Sequence, residues 1–407
     1  MKNIDYKLFV TVVALMVFGV IMISSVSVYS SFNVTSQQVE NGLIKEPYNY
    51  FYLLRSISHI FISLIVMGFV IKTPTKFFEK YANYFLAIAG MLCIYVLVQG
   101  TVLKGARGWI SIPGVPFLVQ PTEFLKVALI VFFSVMFKKY NHYLKDFKNG
   151  FIPYVLVIGV VVGVVGAQPD FGTLLVLIPV TGIMFLYAGA NKKHIFGVIL
   201  LGILLFVSVY SFGKYDETDP KDPNKNNSLG YITRRIDNFM QSNEELLSKR
   251  KDSDHQTIQG LITIGSGGFS GKGFGQSIQK FGYLPEVQGD FIFAVIVEEL
   301  GFRGGLILLL LYLYIGYRGF YIAYHVKDKF EKYAAVGITS WILFQTFINV
   351  GVNLNIVPLT GVTLPFVSYG GSSLLGLSIG VGVLLSISRN IEEKPKYARM
   401  SKNKFIF

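Results

Sequence analysis

Charge is scarce in this chain and cysteine nearly absent. Only 15% of the 407 residues are charged, against 52% hydrophobic, whereas soluble domains carry about 25% charged residues. A soluble globular fold is therefore excluded and an integral membrane protein implied. The one cysteine, Cys93, lies inside an apolar run, so an intramolecular disulfide, a cysteine-built metal site and a thiol nucleophile are all excluded. No internal repeat is evident, which counts against transporter folds made of inverted repeats.

Long apolar runs are what the chain has in quantity. A spanning helix needs about 20 mostly apolar residues at about 1.5 Å rise each, and ten such runs begin near residues 8, 51, 81, 121, 151, 171, 193, 290, 333 and 361. The predicted fold is an all-α integral membrane protein: a single polytopic domain over 1–407 with ten transmembrane helices and a large extracytoplasmic loop, 213–289, between spans seven and eight. The first run follows Lys2 and Lys7 like a signal peptide, but its length and the nine spans after it identify an uncleaved helix.

Basic residues choose the orientation, because short cytoplasmic loops hold an excess of them. One set of loops carries Lys138, Lys139, Lys145, Lys148, Lys327, Lys329 and Lys332, while the opposite short loops hold only Lys45, Lys104 and Arg107. Both termini are thus expected in the cytoplasm. The 213–289 connection, with 10 basic and 10 acidic residues, is placed outside by parity alone. The net charge of +13 is then a topology signal matched to anionic lipids of the inner leaflet. Nucleic acid is not implied.

Polar residues inside the apolar runs are few, and ionised groups there are costly and usually functional. In VQPTEFLKVALI, Glu123 and Lys126 sit three apart on one helix face, close enough to pair. They are either a packing pair or a lysine held for a phosphate. In AQPDFGT, Asp170 stands where a helix start stabilises a carboxylate, as a capping device or as part of a site. Arg107 and Trp109, in KGARGWISIPGVPF, belong to an outer loop, as interface anchors or substrate contacts. Glu299 and Arg303 are four apart and expected to pair, with Glu298 on another face. Arg55 and His59, one turn apart at the mouth of the second span, read as interfacial snorkelling.

The outer loop carries the sharpest signal. YITRRIDNFMQ, with Arg234 and Arg235, reads as a surface-lying amphipathic segment, and HQTIQGLITIG as a short amphipathic helix. Glycines at 265, 267, 268, 271, 273 and 275 indicate a backbone that bends freely or approaches a ligand closely. The P-loop pattern fails at Ser266 and Gly273. Lys272 and Lys280 supply cations near Asp290, a carboxylate at the junction of loop and eighth span. Helix capping and chemistry on a lipid-linked head group are the two readings of that aspartate.

The segments GSGGFSGKGFGQSIQKFGYLPEVQGDFIFAVIVEELG, RGWISIPGVPFLVQPTEFLK, AQPDFGTLL and INVGVNLNIVPLTGVTLPFVSYGGSSLL together resemble the FtsW/RodA family of shape, elongation, division and sporulation proteins. They stand in the family's order along nearly the whole chain, and the IVPLTGVTLPFVSYGGSS stretch leans towards the division member. The resemblance implies a glycosyltransferase that joins lipid II into β-1,4 glycan strands at the outer membrane face. Asp290 would be its essential carboxylate; Gln120, Pro121, Glu123, Lys126 and Asp170 are carried over as site positions. A class B penicillin-binding transpeptidase as partner and a divalent cation, Mg or Mn, are implied too. The chain departs from the family in carrying Gly289 where a Ser or Thr commonly precedes the acid, and Val297 before EELG in place of a small glycine. Chemically, Asp290 would act as general base while Lys126, Arg107 or Lys280 stabilises the leaving diphosphate. The rival readings are a flippase or transporter for lipid-linked saccharide, with Glu123, Lys126 and Asp170 along its pathway, and a scaffold for a transpeptidase.

Overall fold

A computed structural model describes residues 4–103, 106–111, 117–194 and 252–391, with isolated positions between 196 and 239. The seventh apolar run and the segment holding Arg234 and Arg235 lie outside the described residues. In chain order the helices are α1 Tyr6–Val26, α2 Val28–Glu40, α3 Phe51–Lys72, α4 Thr75–Gln99, α5 Pro121–Lys139, α6 Ile152–Gly166, α7 Phe171–Tyr187, α8 Asp252–Gly267, α9 Ile292–His325, α10 Lys329–Asn353 and α11 Gly371–Ser388. A short antiparallel hairpin, β1 Thr101–Leu103 with β2 Ala106–Trp109, stands between α4 and α5.

Among the described residues, six helices are long and apolar enough to cross a bilayer: α1, α3, α4, α6 with the π-turn before it, α10 and α11. Of the remaining expected spans, α7 is shorter, α5 carries four charged residues, and α9 is a broken helix. The tenth run begins later than expected. Its first ten residues, 361–370, form a buried loop, since Gly361 at φ 76° and Phe366 at φ 65° cannot belong to a helix. Hydropathy registers apolar composition and not backbone shape.

Helices α10 and α11 are enclosed on nearly all sides, whereas α3, α4 and α6 turn most of their surface outward. A helix apolar all round must lie in a protein core or in lipid, and the bundle uses both solutions. At one end the Asp5 N–H donates to Ser388 Oγ at 3.0 Å, so the start of α1 and the end of α11 meet there. Lys138 ties α5 to Glu79 of α4 (2.6 Å) and to Asp328 (2.8 Å), which caps α10.

Helix α9 is interrupted at Gly301, whose φ 73° and ψ −177° lie outside the helical region. The glycine-rich loop after α8 fills the gap: Lys272 N–H donates to the Glu298 carbonyl and Gly273 N–H to that of Glu299, each at 2.9 Å, while Phe302 N–H donates to the Gly268 carbonyl at 2.9 Å. The loop thus replaces ladder bonds lost at the break. A Cβ on Gly271 would collide with the Glu299 carbonyl and one on Gly267 with that of Val297, so these two glycines serve the close approach of protein backbone. Gly301→Ala is expected to cost about 2–3 kcal/mol, because that backbone region is essentially glycine-only. Thermal unfolding in detergent should drop by several degrees, while Gly68→Ala, which has open space around it in α3, should leave it unchanged or raised.

Candidate functional site

A cavity of about 590 Å³ opens at the end of the bundle opposite the α1–α11 contact. Five helices begin at its walls. Tyr52, Arg55 and His59 come from the first turns of α3; Gln120, Glu123 and Lys126 from the start of α5; Asp170 and Thr173 from the start of α7; Asp290 from just before α9; Gly371, Ser372 and Ser373 from the start of α11. Helix starts carry partial positive charge, so five of them converging make the cavity favourable to anions.

Asp290 lines this cavity with its residue 9% exposed. Its peptide is held from α10: Asn349 and Asn353 donate from their side-chain amides to the Asp290 carbonyl at 2.9 and 2.8 Å. Asn353 Oδ1 also accepts from the Ala294 N–H at 3.0 Å, capping α9 from outside. The N-cap position falls on Phe291, whose side chain makes no cap. The loop before α11 clasps the same segment, with Ser368 Oγ donating to the Gly289 carbonyl at 2.7 Å and Tyr369 N–H to that of Gln288 at 2.8 Å. Gly361 keeps space open beside the carboxylate, since a Cβ there would stand 3.5 Å from Asp290 Oδ2.

The α5 wall holds the expected pair: Lys126 Nζ donates to Glu123 Oε1 at 2.9 Å, both side chains almost wholly buried. Glu123 Oε2 is buried without a hydrogen-bond partner. Lys126 also stands over the Trp341 ring at 5.8 Å. Asp170 is more constrained. It caps α7 by accepting from Thr173 N–H at 3.0 Å, and its other oxygen accepts from Gln120 Nε2 (3.2 Å), Thr122 Oγ1 (3.0 Å) and Thr173 Oγ1 (2.8 Å). It therefore lines the cavity as a brace between α5 and α7.

The α3 wall differs from the sequence-based expectation. Arg55 and His59 both line the cavity; Arg55 is exposed, whereas His59 is 2% exposed, so snorkelling to an interface does not describe His59. The one-turn spacing was the available signal; what hydropathy could not show is that this end of α3 faces other helices. Arg55 stacks on Phe51 at 4.4 Å and hydrogen-bonds Tyr369. Burial pushes the Tyr369 phenol above its ordinary value against the pull of that guanidinium, which keeps it a donor. Glu286, at φ 55°, adds a carboxylate in a strained conformation.

Two expectations for the loop cations are corrected. Lys280 is not brought to the cavity: its ammonium is buried against Glu299 Oε1 (3.0 Å), Ser25 Oγ (3.0 Å) and the Gly275 carbonyl (2.7 Å). Lys272 likewise pairs with Glu298 at 2.6 Å. Buried carboxylates need partners, and EE in α9 captures both lysines. Glu299 is therefore not paired with Arg303, which lies over the Phe269 ring at 5.5 Å. Trp109 lines the cavity half-buried; Arg107 stands on β2 opposite Val102, its side chain outside the described residues. Among the described residues no three His, Cys, Asp or Glu groups come together to hold a metal ion, so the residues do not form a protein-only cage for Mg or Mn.

Comparison with known proteins agrees with this architecture. The family model for FtsW, RodA and SpoVE, described as "Cell cycle protein", matches residues 6–393. Stage V sporulation protein E of Bacillus subtilis is 36% identical over 343 residues, covering 84% of this chain and 88% of that protein. From the same organism, the "Probable peptidoglycan glycosyltransferase FtsW" is 32% identical over 409 residues, 99% of this chain and 94% of its own length. Among solved structures, a chain from a study of polymerization and crosslinking by a peptidoglycan synthase complex superposes with TM-score 0.73 at 23% identity, covering 97% of this chain and all of that one. The rod shape determining protein RodA of Thermus thermophilus gives 0.64 at 22% identity over 96% of this chain and 98% of its own. A family model spanning nearly every residue, and relatives above 30% identity across almost the full length, place this chain in the FtsW/RodA/SpoVE family.

Proposed function

We propose that this chain polymerises lipid II into glycan strands at the outer face of the cytoplasmic membrane, with Asp290 as the general base. It is a peptidoglycan glycosyltransferase of the family to which its relatives belong. The observation that carries the catalytic assignment is Asp290 at the wall of an open cavity, its backbone fixed from two sides. Ten spans with both termini in the cytoplasm fit the meeting of α1 and α11 at the opposite end.

In this reading Asp290 takes the proton from the 4-hydroxyl of the acceptor GlcNAc as that oxygen attacks the anomeric carbon of the donor MurNAc. Undecaprenyl diphosphate leaves and the α-linked donor becomes a β-1,4 link. The leaving diphosphate is matched by Arg55, Lys126 and the positive ends of the converging helices. Asp170 and Gln120 keep the starts of α7 and α5 in register. A class B penicillin-binding transpeptidase is the partner proposed for crosslinking, by analogy with the synthase complex.

Asp290→Asn retains the size of the side chain and removes its basicity. Strand formation by the purified protein from lipid II should fall at least about 100-fold, the lower range for loss of a general base, with unchanged thermal unfolding. Strand formation in detergent also separates polymerase from flippase, because no membrane is there to cross. Lys126→Met strands the buried Glu123 carboxylate and should cost about 3–5 kcal/mol of stability. The double variant Glu123→Gln, Lys126→Met should recover most of that stability in unfolding scans without recovering polymerisation.

A further inference from the structure

Most buried polar groups outside the catalytic aspartate are already satisfied. Lys280, Lys272, Glu298 and Glu299 answer one another, and Asp170 is saturated by hydrogen bonds. His59 is different. Its ring is almost wholly buried, it lines the cavity, and its Nε2 has no hydrogen-bond partner. Aromatic rings hold it in place: Phe117 meets it edge-on with centroids at 4.9 Å, and Tyr369 is tilted against it at 5.3 Å. A buried polar atom without a partner costs free energy comparable to a lost hydrogen bond. Fixed in such a place by packing, Nε2 is a preorganised contact waiting for a ligand group.

We propose that His59 Nε2 hydrogen-bonds a hydroxyl or acetamido group of the saccharide head group bound in this cavity, and so sets affinity for the sugar. A hydroxyl can both donate and accept, so it satisfies Nε2 in whichever tautomer the imidazole adopts. A diphosphate oxygen only accepts, and Arg55, one turn away on α3, is the better match for it. The rings of Phe117 and Tyr369 beside His59 offer apolar faces of the kind that sugar C–H groups pack against. His59 is thus assigned to substrate binding and not to proton transfer, and the inference rests on the cavity being the lipid II site.

His59→Phe keeps the ring and its aromatic contacts while deleting Nε2; His59→Gln restores a polar group near the same position. Steady-state polymerisation by the purified full-length protein should show KM for lipid II raised about 5- to 20-fold in His59→Phe with kcat within about twofold, the pattern of lost ground-state binding. His59→Gln should stay within about threefold of wild type. Undecaprenyl diphosphate, which shares tail and diphosphate but has no sugar, should inhibit wild type and His59→Phe equally. A wild-type KM in His59→Phe, an equal defect in both variants, or weaker inhibition by undecaprenyl diphosphate in His59→Phe would each overturn the assignment. Asp290→Asn is run alongside: full activity there overturns the site reading itself, whereas an inactive Asp290→Asn with a normal His59→Phe overturns the role of His59 alone. Should phenylalanine not be accommodated, His59→Met supplies the same deletion.

Discussion

Two asparagine amides converging on one carbonyl organise the functional end of this protein. Asn349 and Asn353 stand one turn apart on α10, and both donate to the backbone oxygen of Asp290. Because α10 is among the most enclosed helices of the bundle, the bonds anchor the aspartate to an element packed on nearly all sides. Asn353 at the same time caps α9, and Ser368 and Tyr369 close the other side. In the proposed reaction, a carboxylate whose backbone is held at the wall of an open cavity is the proton acceptor.

The second constraint is how the bundle handles charge in a low-dielectric setting. Every second helix of the expected ten-span path begins at the cavity, so α3, α5, α7, α9 and α11 all present their positive ends to one space. The acidic residues nearby are sorted by neutralisation: Glu298 and Glu299 take Lys272 and Lys280, and Glu123 takes Lys126 through one oxygen. These pairs also bind segments far apart in sequence, since Ser25 of α1 joins the Lys280–Glu299 cluster. In the proposed reaction a leaving diphosphate would meet fixed dipoles and cations already in place, which is the condition for electrostatic stabilisation without reorganisation.

Much of this was legible in the residues. Apolar run length anticipates α1, α3, α4 and α10 closely, and three-residue spacing anticipates the Glu123–Lys126 pair. Asp290, Gln120, Glu123, Lys126, Asp170 and Trp109 converge on one cavity although up to 181 residues separate them in the chain, a convergence that periodicity alone does not reveal. What was not legible has identifiable causes. The break at Gly301 depends on a loop supplying hydrogen bonds from about thirty residues earlier, and the 361–370 loop is as apolar as a helix. The assignment of Lys272 and Lys280 near Asp290 failed because sequence proximity was outweighed by two buried glutamates needing partners. His59, buried in the structure, was read as an interface residue since one helix face looks like another until its neighbours are known.

The most direct measurement is a structure of the full-length protein with a non-polymerisable lipid II analogue occupying the acceptor position. Within hydrogen-bonding distance, about 2.6–3.2 Å, the acceptor's 4-hydroxyl should face the Asp290 carboxylate, with a second lipid's anomeric carbon in line beyond it. An analogue bound with its sugar outside the cavity, or with Asp290 turned into protein contacts away from that hydroxyl, would contradict the account.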